Sequence, residues 1–505
     1  MTTTVETTTR QHDSTSLPPF ATAGVSVIAA VSALALLLTM GNYGYFGDEL
    51  YFLAGGRRLA FGYADQGPAL PLIAHVMDLL APDSYFALRI PATIATIACV
   101  VVSALIAREL DGGRGAQLLT AGAYATSPFL LVQGTSFATN TFDTALWVLI
   151  TWLLIRWVRT RSDVLLIWAG VATAADMQVK WLIPFLWICL GISVLAFGPR
   201  DLLRRPQLWI GAAIAVVVTI PSLLWQADHD WPQLAMAGVV SGEQQYTGGR
   251  GVFVPLAIAL AGLLGAILLI YGTWRLFRAE ALRPYRFLGL TLILLVLAFI
   301  VTGGRAYYAA GMYAAIMAAG AVELTRRDAK SWAKWLLAPV AAISVAIVVW
   351  SLPWQPESKI PPTADTAEEA GADLVLYGHF GWPELVSGVA DAYRQLTPAE
   401  QTKAVIVTDS YWKAAAVDQL GGKYDLPRVY SPIRGFGYFG TPPDSATTVV
   451  YVGDNPGDIC RTVQKLGRVD ARLGFPGATK GVDIWKCSNL TEPWSQAWPG
   501  MLKMS

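Results

Sequence analysis

Long apolar runs alternate with short polar breaks along most of the chain. Runs of about 20 residues, enough to cross a bilayer as a helix, fall near residues 22–41, 86–107, 115–133, 141–157, 163–178, 181–198, 207–225, 252–273, 285–302, 306–323 and 333–351. They predict a polytopic α-helical membrane protein with about 11 transmembrane helices, occupying residues 22–351. The stretch 69–81 is apolar but short, opens with Pro68 and Pro71, and carries His75 and Asp78. It reads as an interfacial or re-entrant helix within a long first loop, residues 42–85. Residues 1–21 form a polar, Thr-rich tail expected to be disordered. The run after it lacks the small-residue cleavage pattern of a signal peptide and reads as a retained span.

From Leu352 the pattern changes. A Pro-rich linker over 352–368 (Pro353, Pro356, Pro361, Pro362) leads into residues 369–505, which have ordinary globular character. Helical patterns at Glu384–Gln395 and Lys413–Leu420 alternate there with β-rich runs at Ala404–Thr408 and Thr447–Val452, so a small α/β domain is expected. Gly435 to Gly440 is glycine-rich and aromatic, a pattern compatible with an ordinary loop or with one touching sugar or membrane. Cys99 and Cys189 fall inside apolar runs, where a small buried hydrophobe is the simplest role. Cys460 and Cys487 lie in the C-terminal domain, where a disulfide is expected if the compartment is oxidising.

Composition agrees with the pattern: 54% of residues are hydrophobic and 14% charged. The net charge of +1 gives no support to a nucleic-acid partner. Basic residues collect on alternate loops: Arg108 and Arg114; Arg156, Arg159 and Arg161; Arg200, Arg204 and Arg205; Arg275, Arg278, Arg283 and Arg286; and Arg326, Arg327, Lys330 and Lys334. By the positive-inside rule these loops are cytoplasmic. An odd number of spans then predicts a multi-pass plasma-membrane protein with a cytoplasmic N-terminus and an extracytoplasmic C-terminal domain.

The remaining polar residues near the apolar runs concentrate on the other face, where ionisable groups next to hydrocarbon are functional candidates. Asp48 and Glu49 follow the first run, and Tyr63 and Asp65 lie further along the same loop. Asp143 opens the fourth run, Asp176 and Lys180 share a short turn after the fifth, and Arg305 sits between the ninth and tenth. Trp225, Asp228, His229, Asp230 and Trp231 follow the seventh. Simpler roles exist for each: Asp48, Glu49 and Asp143 as caps or solvated charges, Lys180 and Arg305 as snorkelling anchors, and the tryptophans as an interfacial belt. His229 lacks a second histidine at zinc-ligand spacing.

In this order and topology the set resembles the GT-C membrane glycosyltransferases, specifically the family-39 group of protein O-mannosyltransferases and lipid A aminoarabinose transferases. Its carriers are Asp48-Glu49, the stretch Gly62 to Pro68, Ala87-Leu88-Arg89-Ile90-Pro91, Asp143, Lys180, Asp228-His229-Asp230-Trp231, and Gly304-Arg305-Ala306-Tyr307-Tyr308. One departure is Gly67 before Pro68, where the group commonly has two prolines. The resemblance implies cell-envelope glycosylation: a sugar moves from a polyprenyl-phosphate donor in the membrane to a hydroxyl of a lipid, glycan or protein acceptor. It makes Asp48 the general base, supported by Glu49, with Asp143 as a second acidic position. Lys180 and Arg305, with Arg250 a weaker choice, would hold the phosphate; Asp65, Tyr63 and His229 would help bind substrate. A divalent metal is left open as cofactor. The competing expectations are a lipid-linked sugar transporter or flippase, which should show internal repeats and interrupted helices, and a non-catalytic receptor.

Overall fold

The computed structural model describes residues 17–243, 249–326 and 331–504. The tail expected to be disordered lies outside the described residues up to residue 16, as do Arg327 and Lys330 of the last basic loop. The chain forms a bundle of apolar helices followed by a unit built on a five-stranded sheet. In order, the helices are α1 (Thr22–Thr39), α2 (Gly47–Gly56), α3 (Ala69–Leu80), α4 (Tyr85–Glu109), α5 (Arg114–Ala125), α6 (Pro128–Val132), α7 (Thr139–Thr160) and α8 (Val164–Met177). They continue as α9 (Ile183–Phe197), α10 (Pro206–Asp228), α11 (Pro232–Glu243), α12 (Phe253–Leu260), α13 (Gly262–Arg278), α14 (Arg286–Thr302), α15 (Tyr313–Thr325) and α16 (Ser331–Ser351).

Every apolar run is helical, but not every run is one helix. Five helices among the described residues are long and apolar enough to cross a membrane, and six if the bent pair α12–α13 counts as one span. That pair corrects the expectation of an uninterrupted helix over 252–273: its halves meet at 108°. Gly262 supplies the turn with a φ of 72°, and a Cβ there would come within 2.8 Å of Pro128 and 2.9 Å of the Thr126 carbonyl. The third run is broken at that same contact. After α5 ends at Ala125, Ser127 caps α6 ahead of Pro128 and donates its hydroxyl to the Leu260 carbonyl at 2.8 Å, satisfying an end of α12. The tenth run begins as a 3₁₀ segment, Ala306–Met312, before α15.

Helix α15 is buried on every side from Tyr313 to Glu323 and forms the centre of the bundle. The outer helices leave large apolar side chains uncovered, among them Val31 and Leu38 of α1 and Trp209, Val217 and Leu224 of α10, as a lipid-facing surface would. Helix α4 carries a charge cluster at each end. Glu109 pairs with Arg159 at 2.6 Å at the Arg-rich end, and Arg89 pairs with Glu49 at the other.

The C-terminal sheet has strands β1 (Ala404–Thr408), β2 (Val429–Tyr430), β3 (Thr448–Val452), β4 (Cys460–Val469) and β5 (Val482–Leu490), in the order β2-β1-β3-β5-β4. The first three strands run parallel, and β5 is antiparallel to both β3 and β4. Helices Trp382–Arg394 and Tyr411–Leu420 match the expected positions closely, and Cys460 is bonded to Cys487. The second of these helices packs on α2. Its Asp418 pairs with Arg58 at 2.6 Å, and Gly47 is the only residue type that fits against Trp412, whose ring a Cβ would approach to 2.3 Å. The C-terminal unit is thereby fixed onto the first loop, where the candidate residues lie.

Candidate active site

The site is assembled around the first turn of α2. Glu49 is fully buried, and every favourable position on its carboxylate is taken. Arg89 donates through Nε at 2.8 Å and Nη2 at 2.6 Å, and the backbone N–H groups of Phe137 and Phe46 add bonds of 2.8 and 2.9 Å. Burial pushes this carboxyl up, but the Arg89 pair outweighs it and holds the pKa below its ordinary value. Arg89 in turn donates to the carbonyls of Met40, Tyr43 and Gly44. The pair therefore ties the end of α1, the start of α2, α4 and the Phe137 loop into one rigid corner.

Asp48 is the next residue along the helix and points elsewhere. Its Oδ1 accepts the Tyr411 hydroxyl at 2.9 Å and the Trp412 indole N–H at 2.7 Å, both from the C-terminal unit. Its Oδ2 has no hydrogen bond to the described residues and is not sealed from solvent. One oxygen is thus oriented while the other is left open.

A relay of charge runs from Asp48. Tyr411 also receives a hydrogen bond of 2.8 Å from Arg434, whose other arm reaches Glu243 at 2.8 Å, and Glu243 pairs with Arg305 as well. Burial works against the Arg434 charge, yet Tyr411, Asp65, Asp48 and Glu243 around it hold its pKa above the ordinary value. Asp65 accepts the Tyr51 hydroxyl at 2.8 Å; burial pushes its carboxyl up against the pull of Arg434. Tyr63 donates to the Gly55 carbonyl at 3.1 Å and closes the first loop.

Lys180 lies on the other flank of Arg305. Its Nζ bonds Asn140 at 2.6 Å and sits 4.3 Å from the centre of the Tyr308 ring, two residues beyond the start of the 3₁₀ segment that follows Arg305. Asp143 and Asp176 are buried within Coulombic reach of each other and of Lys180. Oδ1 of Asp143 and both carboxylate oxygens of Asp176 lack hydrogen-bond partners among the described residues. His229 stacks on Trp225, 4.0 Å between centroids, and its Nδ1 donates to the Trp225 carbonyl at 2.8 Å. Arg250 is exposed on a short 3₁₀ turn, Arg250–Val252. Among the described residues no three His, Cys, Asp or Glu side chains converge as a metal site.

The structure brings Asp48, Asp65 and Arg305 into one connected set and adds four residues that the sequence did not single out as site residues: Tyr411, Trp412, Arg434 and Glu243. Only Arg434 carried a local signal, as the residue before the glycine-rich aromatic stretch. Tyr411 and Trp412 lie more than three hundred residues from Asp48 in the chain, and no spacing connects them.

A profile of the family described as dolichyl-phosphate-mannose-protein mannosyltransferase matches residues 65–225. A comparison with curated protein sequences finds no match. Among solved structures, ArnT from Cupriavidus metallidurans bound to undecaprenyl phosphate matches with a TM-score of 0.61 at 15% identity, covering 92% of this chain and 98% of that one. The same protein in the apo state gives 0.58 at 14% identity over the same shares. Arabinofuranosyltransferase AftD from Mycobacteria matches at 0.50 and 15% identity, over 91% of this chain and 41% of its own. The chain therefore has the GT-C fold, built like ArnT through both its helical and C-terminal parts, and its residues 65–225 match the profile of the protein mannosyltransferases.

Proposed function

We propose that this protein is a glycosyltransferase that moves a sugar from a polyprenyl-phosphate donor to an acceptor hydroxyl at the extracytoplasmic face of the membrane, with Asp48 as general base. The observation that carries this reading is the state of the two neighbouring carboxylates. Glu49 is saturated and serves as a positioning residue, whereas Asp48 has one oxygen anchored and one free. The ArnT structure with undecaprenyl phosphate supports a lipid-phosphate donor.

In the reaction, the acceptor oxygen forms a bond to the anomeric carbon as its proton passes to Oδ2 of Asp48. The bond from that carbon to the phosphate oxygen breaks, and polyprenyl phosphate leaves with the electron pair. Arg305 and Lys180 flank the same pair of tyrosines and stabilise the growing negative charge. Glu243 now occupies Arg305 and Arg434, so a bound phosphate must compete with that carboxylate. Asn140 orients Lys180, and Asp143 is a buried carboxylate close enough to balance its charge; Asp65 and Tyr63 shape the acceptor side of the loop. The reading includes about 11 crossings, some of them broken, with the Arg-rich loops cytoplasmic and the disulfide-bonded domain outside.

Mass spectrometry of envelope glycans, glycolipids and glycoproteins from a strain lacking the protein tests the activity. The account expects one sugar to disappear from one class of acceptor. An unchanged inventory, or movement of an intact lipid-linked sugar across the membrane without a covalent product, would contradict it and favour a flippase.

A further inference from the structure

A cavity of about 200 Å³ opens between the first loop and the C-terminal unit, beside the carboxylate set. Its walls are Tyr63, Trp225, Tyr438 and Phe439, and its charged groups are Arg58 and Arg428. Nothing in the proposed reaction uses Trp225, Tyr438, Phe439 or Arg428.

The cavity is built rather than incidental. Gly435 lets the 3₁₀ segment Arg434–Phe439 lie directly on Tyr51: a Cβ there would come within 1.8 Å of the Tyr51 hydroxyl, which is the group bonded to Asp65. Gly62 allows a close, though less tight, approach to Trp225, 3.0 Å from a would-be Cβ. The rings brace one another: Trp225 is stacked on His229 and meets Tyr438 edge-on at 5.8 Å, and Phe439 meets Tyr63 at 6.3 Å and Tyr51 at 6.2 Å. Tyr51 then contacts Tyr411, which holds Asp48. The cavity is thus linked to the proposed catalytic carboxylate through Tyr51 and Tyr411.

Its chemistry is specific. Aromatic walls offer faces against which the C–H side of a sugar ring packs, and the volume suits one ring rather than a long chain. The charge is positive. Arg58 is neutralised by Asp418, but Arg428 has no carboxylate partner among the described residues; it is exposed, and its Nη2 donates only to the Phe439 carbonyl at 2.8 Å.

We propose that this cavity is an outer acceptor subsite, apart from the reacting hydroxyl, and that it takes one sugar ring bearing a carboxylate or a phosphate, with the anion on Arg428 and the ring against Trp225 and Tyr438. The inference rests on the transferase reading for the word acceptor, while its test measures binding alone and needs neither donor nor turnover. The detergent-purified full chain is titrated with methyl glucuronide, glucose 6-phosphate, methyl glucoside and inorganic phosphate, followed by saturation-transfer NMR and tryptophan fluorescence. A charge-assisted contact predicts that at least one anionic sugar binds about tenfold or more tighter than the neutral one; which of the two wins identifies the anion.

Arg428→Ala should reduce the anionic sugars to the neutral level, and Arg428→Lys should restore part of the difference. Trp225→Ala should weaken every sugar and leave inorganic phosphate unchanged; Tyr438→Ala carries the same test should the Trp225 variant fail to fold. Equal binding of charged and neutral sugars, an unaffected Arg428→Ala variant, or inorganic phosphate binding as tightly as the sugar phosphate would each overturn the proposal. Loss of transfer activity with sugar binding intact would count against the transferase reading and leave the subsite standing.

Discussion

Asp48 and Glu49 are neighbours with opposite surroundings, because consecutive residues on a helix point about 100° apart. Glu49 turns into the corner held by Arg89, and Asp48 turns toward Tyr411 and Trp412. Separate tests follow. Removing either member of the buried pair leaves the other charge without compensation, a loss of about 3–5 kcal/mol. Glu49→Ala and Arg89→Ala should therefore lower the thermal unfolding midpoint of the purified protein steeply, while Asp48→Asn leaves it close to the parent. Equal midpoints for all three would remove the structural role assigned to Glu49. The sequence marked this dipeptide because it follows the first apolar run, yet it could not divide the two roles. The deciding partners, Phe137 and Arg89 for one and Tyr411 and Trp412 for the other, come from distant segments.

At the level of elements, the apolar runs were legible because bilayer thickness imposes their length. The breaks in them were not. Gly262 is one glycine among many along the apolar runs, and only its contact with Pro128 explains the 108° bend. Strands β4 and β5 escaped notice since their exposed and buried positions do not alternate cleanly. The junction between the C-terminal unit and the bundle was equally hidden, and it makes a pH-dependent prediction through His379. This ring is buried with its Nδ1 at 2.9 Å from the Gly44 carbonyl. Burial, with the nearby Arg89 charge, pushes its pKa down to about 4, against the opposing pull of Glu49 and Gly44. Above the ordinary value of 6.5, folded and unfolded chains are both neutral there and the stability is complete. As pH falls from 6.5 toward 4, only the unfolded chain takes the proton, so up to about 3 kcal/mol is lost. Unfolding midpoints measured across that window should fall less for His379→Gln than for the parent; parallel curves would show that the ring does not titrate on unfolding.

For the whole molecule, the apolar runs and the change of composition at Leu352 sufficed to anticipate a bundle of apolar helices with a C-terminal α/β unit, and the ordered set of polar motifs anticipated the GT-C fold. What they could not supply was that the C-terminal unit completes the site, through Tyr411, Trp412 and Arg434. Orientation is tested by fusing a reporter active only outside the cytoplasm. Activity is expected after residue 505 and silence after Arg161 or Arg205; the reverse pattern would invert the proposed topology. The central claim is that Asp48 removes a proton during sugar transfer while Lys180 and Arg305 hold a phosphate that is charged before and after the step. Donor affinity and transfer rate, measured together on detergent-purified Asp48→Asn, Lys180→Ala and Arg305→Ala, test it most directly. Asp48→Asn should lose at least about a hundredfold in rate with donor binding nearly intact, and the two cation variants should lose affinity as well as rate. Full transfer by a correctly folded Asp48→Asn protein, or loss of donor binding confined to that variant, would contradict the account.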